Sequence, residues 1–474
     1  MALGRTQKLL KETGWFAVGN FGSKILSLLM VPLYTNVLST NEYGTLDIIA
    51  TTITLLIPVL TLEMANGIFR FVMDRDYNTR SVATDCFLTT LSSSLILLLL
   101  YPLLKWLLPP VTDYWWYFYM IYLFNSISSV LSMLMKGIDK SHIFAIQGVI
   151  YTLVFASCNI ILLVFFKLGI KGYLLSLICA HFSCCIFMFF AGNVKEYISM
   201  KSFDIGLLKE ILKFSAPMIP AAVAWWIMSS IDKYMLLYMC SAEANGLYGV
   251  AHKLPSIITV LTNFFINAWQ ISAVRNKDDE DVAEYTSKIY KIMFISGIAV
   301  SFVMIICSEL LGKIFFQKDF FVAWTMTPSL YISTVFSAFT LFIGAQFTAS
   351  KRSDLHLKSN LIAMVSNVIL NYVLIKSFGI NGAAYGTMIS YFIVLVYRQI
   401  RIKDLIKFQY NKRKFYTTCI LLMGTGLIVS FKTPFYYLIS LVALGFVVVL
   451  YWDDYMELIR TLYAIVSKRT KKLD

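Results

Sequence analysis

The sequence predicts an all-α polytopic membrane protein with about fourteen transmembrane helices. Three observations carry that prediction. The 474-residue chain is 58% hydrophobic and only 14% charged, with a mean hydropathy of +0.71, whereas a soluble protein is about a quarter charged. Its apolar residues fall in blocks of about 20, the length a helix needs to cross about 30 Å of hydrocarbon. Its lysines and arginines are crowded into alternate loops, as in a positive-inside chain. The bilayer core has no water to satisfy open backbone groups, so blocks of this length must be helices.

In order, the blocks lie at about 14–35, 44–66, 83–104, 115–135, 143–166, 172–191, 214–238, 247–271, 289–311, 322–345, 359–376, 381–399, 415–431 and 434–452. The opening stretch "MALGRTQKLLKETG" is basic and polar, and the first block follows at full length. No small-residue cleavage pattern closes it, so it reads as a retained first span and not a removed signal.

Orientation follows from charge. With the N-terminus in the cytoplasm, the inside segments hold 31 of the 41 Lys and Arg and the outside ends hold seven. Lys24, Lys233 and Lys253 remain within spans. Both termini are then cytoplasmic, and the span count gains support, because one missed helix would scramble the alternation. The net charge of +14 reads as topology plus contact with anionic lipid. Nucleic acid is not an expected partner, since no soluble basic domain exists to hold it. All loops are short. The tail "DDYMELIRTLYAIVSKRTKKLD" alternates apolar and basic residues at helical spacing, which suits a helix lying on the inner membrane face; a plain solvated end is the bland alternative.

The eight cysteines sit mostly in or beside apolar blocks without a CxxC pair, and the four histidines are scattered. Small core filler is the reading for the cysteines, and no metal site is expected. The acidic "NKDDED" at 276–281 reads as a solvated loop in preference to a metal or nucleotide-sugar site. No catalytic residue is assigned.

The chain repeats itself. "LSTNEYGTLDIIA" follows span one and "SAEANGLYGVAHK" follows span seven, with Tyr43-Gly44 and Tyr248-Gly249 both 205 residues apart. Arg70 and Arg275 keep the same offset. "KLGIKGYLLS" at 167–176 matches "SFGINGAAYG" at 377–386 at an offset of 210, and Lys140 and Ser141 match Lys351 to Ser353. Matches in one order at nearly one offset argue for two homologous halves of six spans. The expected organisation is an N-terminal lobe at 1–200, a C-terminal lobe at 201–400, and two extra spans with a basic tail at 401–474. Six is even, so both halves share an orientation and are related by an axis along the membrane normal, with a central cleft.

Charges within spans are costly and usually face protein or water. The embedded or near-embedded candidates are Lys24, Asp47, Glu63, Asp232, Lys233, His252 and Lys253, with Arg70 and Gln270 near inner ends. They gather in spans one, two, seven and eight, the first pair of each half, as a polar cleft would require. Each has a bland reading. Lys24 and Lys253 can snorkel. Asp47 can cap the turn before it. Glu63 and Arg70, seven apart, can approach each other on one helix face. Asp232 and Lys233 are adjacent and cannot pair well along one helix, so at least one needs a partner on another span. Pro58, Pro217, Pro220 and Pro255 fall in the same spans. Each removes a backbone hydrogen bond, and they are read as hinges or, blandly, as ordinary membrane-helix prolines.

With these features, "GNFGSKILSLLMVPLYTNVLSTNEYGTLD", "TLEMANGIFRFV", "LKFSAPMIPAAVAWWIMSSIDKYMLLY", "NGLYGVAHKLPSI" and "NAWQISAV" resemble the MOP exporter superfamily, and within it the Wzx-type polysaccharide or oligosaccharide flippases. The resemblance covers about residues 10–400. It implies a MATE-like fold and a non-enzymatic flippase in a bacterial cytoplasmic (inner) membrane. Such a protein moves polyprenyl-diphosphate-linked oligosaccharide to the outer leaflet by alternating access, for O-antigen (lipopolysaccharide), capsule or exopolysaccharide assembly. Lys24, Lys233, Lys253 and Arg70 are the cations available to offset the desolvation of a diphosphate. Asp47, Glu63, Asp232, Gln270, Trp225, Trp226 and Trp269 are candidates for sugar hydroxyls and faces. Membrane lipid is an implied partner, and a polysaccharide polymerase and chain-length proteins are further candidates. No cofactor is expected; a proton or sodium gradient is the candidate energy source.

The near rival is a MATE-type cation-coupled multidrug antiporter, whose cleft should be dominated by acids; here lysines are at least as numerous. A lipid II flippase would share the fold. A membrane-embedded polymerase or glycosyltransferase would need a long loop or an acidic pair, and the outside loops hold almost no carboxylates beyond Glu42, Asp113, Glu243 and Asp319.

Overall fold

A computed structural model describes residues 26–74, 76–275 and 280–456. Among them every regular element is helical. Eleven helices are long and apolar enough to cross a membrane, and they correspond to expected spans two through twelve. Span one is described from Leu26, as the shorter apolar helix Leu26–Val37. The last two spans are carried by Lys412–Ser430 and Tyr436–Leu450. The protein is a multi-pass membrane protein.

The chain forms two compact units, Met1–Gly249 and Val250–Asp474. The first contains α1 (Val31–Val37), α2 (Thr40–Leu60), α3 (Met64–Val72), α4 (Thr79–Leu99), α5 (Trp115–Gly137), α6 (Ser141–Asn159), α7 (Gly169–Ala191), α8 (Ile205–Ser215), α9 (Ile219–Met239) and most of α10 (Ala242–Ala251). Packing and repeat therefore divide the chain at different places: α8 packs on α3 and α4, and α9 packs on α2, although the repeat assigns α8 and α9 to the second half. The apolar core of this unit joins Met64 and Ile68 of α3, Val82 and Cys86 of α4, Leu134 of α5, Met188 of α7 and Ile211 of α8.

Local sequence sets the helix ends. Ser39 caps α2, its hydroxyl accepting from Glu42 N while Glu42 accepts from Ser39 N, a reciprocal capping box. Asp204 caps α8 by accepting from Gly206 N at 2.8 Å. Proline marks the interruptions. Pro58 lies near the end of α2, and Glu63 N reaches back to Pro58 O before Glu63 takes a left-handed φ of 57°. Expected span two is thus two helices, and Glu63 and Arg70 do not share one continuous helix face. Pro217 lies in the single 3₁₀ turn Ala216–Met218 joining α8 to α9, and Pro220 lies in the first turn of α9. Pro255 opens α11 (Pro255–Arg275) after a turn at 252–254 that splits expected span eight.

The second unit continues with α12 (Val282–Ile306), α13 (Thr327–Ala349), α14 (Ser353–Phe378), α15 (Ile380–Arg401), α16 (Lys412–Ser430) and α17 (Tyr436–Leu450). α13 is its central helix: 83% of its apolar window is buried, against 22% for that of α14. The two extra helices attach here, α16 against α13 and α17 against α12. Hydroxyls throughout return to their own helix carbonyls, as Thr35 Oγ1 does to Val31 O and Thr90 Oγ1 to Cys86 O, the usual way a small polar side chain is satisfied in a dry interior.

Candidate functional site: an ionic network and a polar cavity in the first unit

The repeated motif places α2 and α10 in direct backbone contact. A Cβ on Gly44 would overlap the carbonyl oxygen of Ala242, and one on Gly246 would overlap that of Thr40. Each glycine thus sits on the carbonyl one turn before the other glycine, a reciprocal crossing that only small residues permit. Asn245, fully buried, ties the crossing by donating Nδ2–H to Gly44 O at 3.0 Å.

This crossing brings Asp47 of α2 beside α9. Lys233 Nζ lies 2.9 Å from Asp47 Oδ1, with the two side chains 20% and 17% exposed. Lys233 also donates to Thr51 Oγ1 at 3.4 Å, and Asn245 Nδ2 lies 3.4 Å from Asp47 Oδ2. Asp47 caps no helix; Ser39 does that. The neighbouring Asp232 points elsewhere, as adjacent residues on a helix must. Its Oδ2 accepts from the buried Tyr248 hydroxyl at 2.6 Å and its Oδ1 from Lys233 N at 3.0 Å. Both members of the adjacent pair therefore find partners on other helices, α2 for the lysine and α10 for the aspartate. Thr52 and Tyr234 hydroxyls at 2.6 Å and Trp226 Nε1–H to Thr51 O at 3.0 Å complete the α2–α9 seam.

The remaining sequence candidates are dispersed. Lys24 lies outside the described residues, as do most of the "NKDDED" loop and the tail from 457. Glu63 accepts from Asn66 Nδ2 at 2.7 Å. Arg70 is exposed and pairs with Asp74 at 3.3 Å, so the expected approach of Glu63 and Arg70 does not occur. Lys253 is half-buried in the turn before Pro255. Gln270 is exposed. Of the three tryptophans, Trp225 is exposed, while Trp226 is committed to Thr51. Trp269 is buried, donating to Phe342 O and stacked on the Phe342 ring at 4.2 Å. The last two serve packing, because a buried indole N–H must be satisfied.

A second feature of the unit was missed by the sequence reading. Helices α1, α2, α5, α6 and α7 and the residues just before α1 line an open cavity of about 660 Å³, within the ~300–1,000 Å³ of small-ligand pockets. Asn125, Gln147, Ser128, Ser132 and Thr152 give it amides and hydroxyls, and Tyr151, Phe155 and Tyr173 give it ring faces. Its described lining carries no carboxylate, ammonium or guanidinium. Two buried polar atoms there, Tyr34 Oη and His181 Nδ1, have no hydrogen-bond partner among the described residues.

A third, in the second unit, is Arg398. It stands at the end of the expected span 381–399, lies within α15 and is 3% exposed. Its guanidinium is held by neutral oxygens: Ser359 Oγ at 3.0 Å, Asn360 Oδ1 at 2.9 Å and Thr340 O at 2.6 Å. Gly344 makes room for it, since a Cβ there would meet Arg398 Nη1.

Comparison with known proteins places this architecture. The family model described as polysaccharide biosynthesis protein matches residues 9–270, and the MatE model matches 217–373. A probable low-salt glycan biosynthesis flippase of Haloferax volcanii is 24% identical over 248 residues. That alignment covers 51% of this chain and 52% of the relative, so the chain spans about half the length of the relative it matches. Among solved structures, the lipid II flippase MurJ is similar with a TM-score of 0.69 at 15% identity, over 94% of this chain and 99% of MurJ. A multidrug resistance MATE family transporter gives a TM-score of 0.68 at 15% identity, over 81% of this chain and 95% of its own. At that identity the two structures establish the fold, which is MATE-like. The family match covers more than half of the chain and shows that this chain belongs to the polysaccharide biosynthesis protein family.

Proposed function

We propose that this protein is a flippase that moves polyprenyl-diphosphate-linked oligosaccharide from the cytoplasmic to the outer leaflet by alternating access, in surface polysaccharide assembly. The observation that carries the reading is the cavity of the first unit. Amides, hydroxyls and ring faces without a formal charge are the groups that recognise a neutral sugar. The open valences of Tyr34 Oη and His181 Nδ1 are ones a sugar hydroxyl can fill. A cationic drug would find no carboxylate among the described lining, which weighs against the multidrug-antiporter reading. The family match and the glycan flippase relative support the same substrate class.

In this proposal the Asp47–Lys233 pair and the Asp232–Tyr248 bond hold α2, α9 and α10 together in one state of the cycle. Lys233, released from Asp47 in another state, supplies positive charge to the diphosphate, and Arg70 supplies it near the inner end. Breaks at Pro58, Pro217, Pro220 and Pro255 are where helices bend. Both termini lie in the cytoplasm in this reading, which the Lys and Arg distribution supports. Membrane lipid and the lipid-linked glycan are the partners of this reading, a polymerase and chain-length proteins act downstream, and an ion gradient supplies the energy.

The test is complementation of a strain lacking its own oligosaccharide flippase, with membrane expression checked. Restored surface glycan with the wild type, reduced in Tyr34→Phe and Asn125→Ala at equal expression, supports the reading. Wild-type export of a cationic dye without glycan rescue supports the antiporter instead.

A further inference from the structure

The second unit carries a built pocket at its basic end that neither the family match nor the transport reading uses. It has a volume of about 530 Å³ and is enclosed by the first turns of α12, the segment at 409–411, the start of α16 and the residues just after α17. Packing fixes its walls. Gln409 N donates to Ser287 Oγ at 2.9 Å, the Phe408 ring meets Tyr290 at 5.1 Å, and Tyr410 meets Phe415 at 5.5 Å. Asn411 caps α16 by accepting from Lys414 N at 3.1 Å.

The lining is amphiphilic. Lys288 and Lys291, three apart on one face of α12, and Lys414 at the start of α16 bring three ammonium groups to it. Against them stand two carboxylates, Glu284 and Asp454, the latter paired with Lys291. Lys414 lies over the Tyr451 ring at 5.5 Å and donates one N–H to Leu450 O at 2.8 Å, one of the three donors an ammonium has. Outside the pocket, Lys403, Lys407, Lys412 and Arg413 add to the positive field, with Asp404 the single acid between 398 and 414. Along α12 the lining continues from Glu284 to Ile295, roughly 16 Å of helix, so the lysines give way to Phe294 and Ile295 toward the deep end.

We propose that this pocket binds the phosphate headgroup of a membrane lipid in the leaflet that faces the basic ends of the helices. The ammonium groups take the phosphate, and the aromatic and aliphatic wall takes the first apolar part of the lipid. A free phosphate would use the charged part alone, which leaves the apolar depth without a role. The occupant is a lipid phosphate, whose source is either an anionic phospholipid or a polyprenyl phosphate, and the lining residues are distinct from those of the polar cavity of the first unit.

Native mass spectrometry of the full chain, purified in a neutral detergent and titrated with phosphatidylglycerol, tests the proposal. The wild type should retain the lipid about thirtyfold more tightly than a Lys288→Gln, Lys414→Gln double variant, given about 1 kcal/mol per lysine near an anionic lipid. Lys407→Gln, an exposed lysine outside the pocket that adds only to the surrounding field, should lose clearly less than the double variant. Replacing phosphatidylglycerol by polyprenyl phosphate distinguishes the sources: the lipid whose retention depends on both lysines is the occupant. Equal retention by wild type and double variant, an equal loss in Lys407→Gln, or inorganic pyrophosphate competing as well as lipid, would overturn it. Each single variant is read beside the double, so a double variant that does not elute as one species leaves the comparison intact.

Discussion

Lys233 and Asp47, 186 residues apart in the chain, meet at 2.9 Å between α9 and α2. A membrane helix carries an ammonium at real cost, and here a carboxylate on α2 offsets it. Removing one partner of such a pair leaves the other charge stranded, a loss of about 1–3 kcal/mol at this partial exposure. Lys233→Gln and Asp47→Asn should each lower the Tm of the detergent-purified protein. The double variant should be less destabilised than the sum of the singles. Strictly additive losses in that cycle would show that the pair is not coupled.

Tyr248 should matter through its hydroxyl. Tyr248→Phe keeps the ring and removes the donor to Asp232 Oδ2. A buried carboxylate oxygen that loses a hydrogen bond costs about 1–3 kcal/mol. Thermal unfolding should show the loss, and Asp232→Asn should make the Tyr248→Phe change nearly neutral. A Tyr248→Phe protein as stable as the wild type would remove Asp232–Tyr248 from the network.

The glycine crossing gives a sharper expectation. Gly44→Val and Gly246→Val place carbons on the carbonyl oxygens of Ala242 and Thr40, which are backbone atoms and cannot step aside. Both should reduce the yield of folded protein in the membrane severely. Gly445→Val, where a Cβ meets nothing within 4 Å, should express normally. Comparable yields for all three on a fluorescence size-exclusion profile would contradict the crossing.

How far the sequence already contained this arrangement depends on the interaction's range. The span order was legible because each block is a local, one-dimensional signal of length and hydropathy. The repeat was legible because "NEYGTLD" and "ANGLYGV" recur in order. The need of Asp232 and Lys233 for partners on other helices followed from helix geometry alone. Which partners they find did not, since Asn245 and Tyr248 are ordinary residues until α2 and α10 cross. Trp226 and Trp269 misled for the same reason: an indole suits a sugar face, and only packing shows that Thr51 O and Phe342 O already hold these two. Pro58 marked a bend in span two, but the break into two helices at Glu63 was hidden because residues 59–62 contain no glycine, proline or charge. Arg398 was hidden because its partners are neutral oxygens, which carry no charge pattern to read.

Outside the spans, Glu309 offers a pH test. It follows the end of α12 and is gripped by Lys313 at 2.8 Å and by the hydroxyls of Tyr436 and Tyr437, which tie the start of α17 to this corner. The Lys313 ammonium foremost, then the two tyrosines, hold its carboxyl down to about 2. A depressed carboxylate stabilises the fold above its unfolded value of about 4.3 and stops doing so as pH falls through the folded value. The Tm difference between wild type and Glu309→Gln should be constant above about pH 5 and shrink steadily toward pH 2. A difference that does not change with pH would mean that the carboxylate's charge plays no part.

The most direct measurement is flipping in a defined membrane. Purified protein is reconstituted into vesicles containing a fluorescent polyprenyl-diphosphate oligosaccharide, and the fraction of glycan that a membrane-impermeant glycosidase can reach is followed over time. The account predicts that wild-type vesicles expose the protected glycan pool, that Tyr34→Phe and Asn125→Ala slow this exposure at equal reconstitution, and that a cationic dye is not transported. Wild-type vesicles indistinguishable from protein-free ones across several oligosaccharides, together with gradient-driven dye transport by the same preparation, would contradict it.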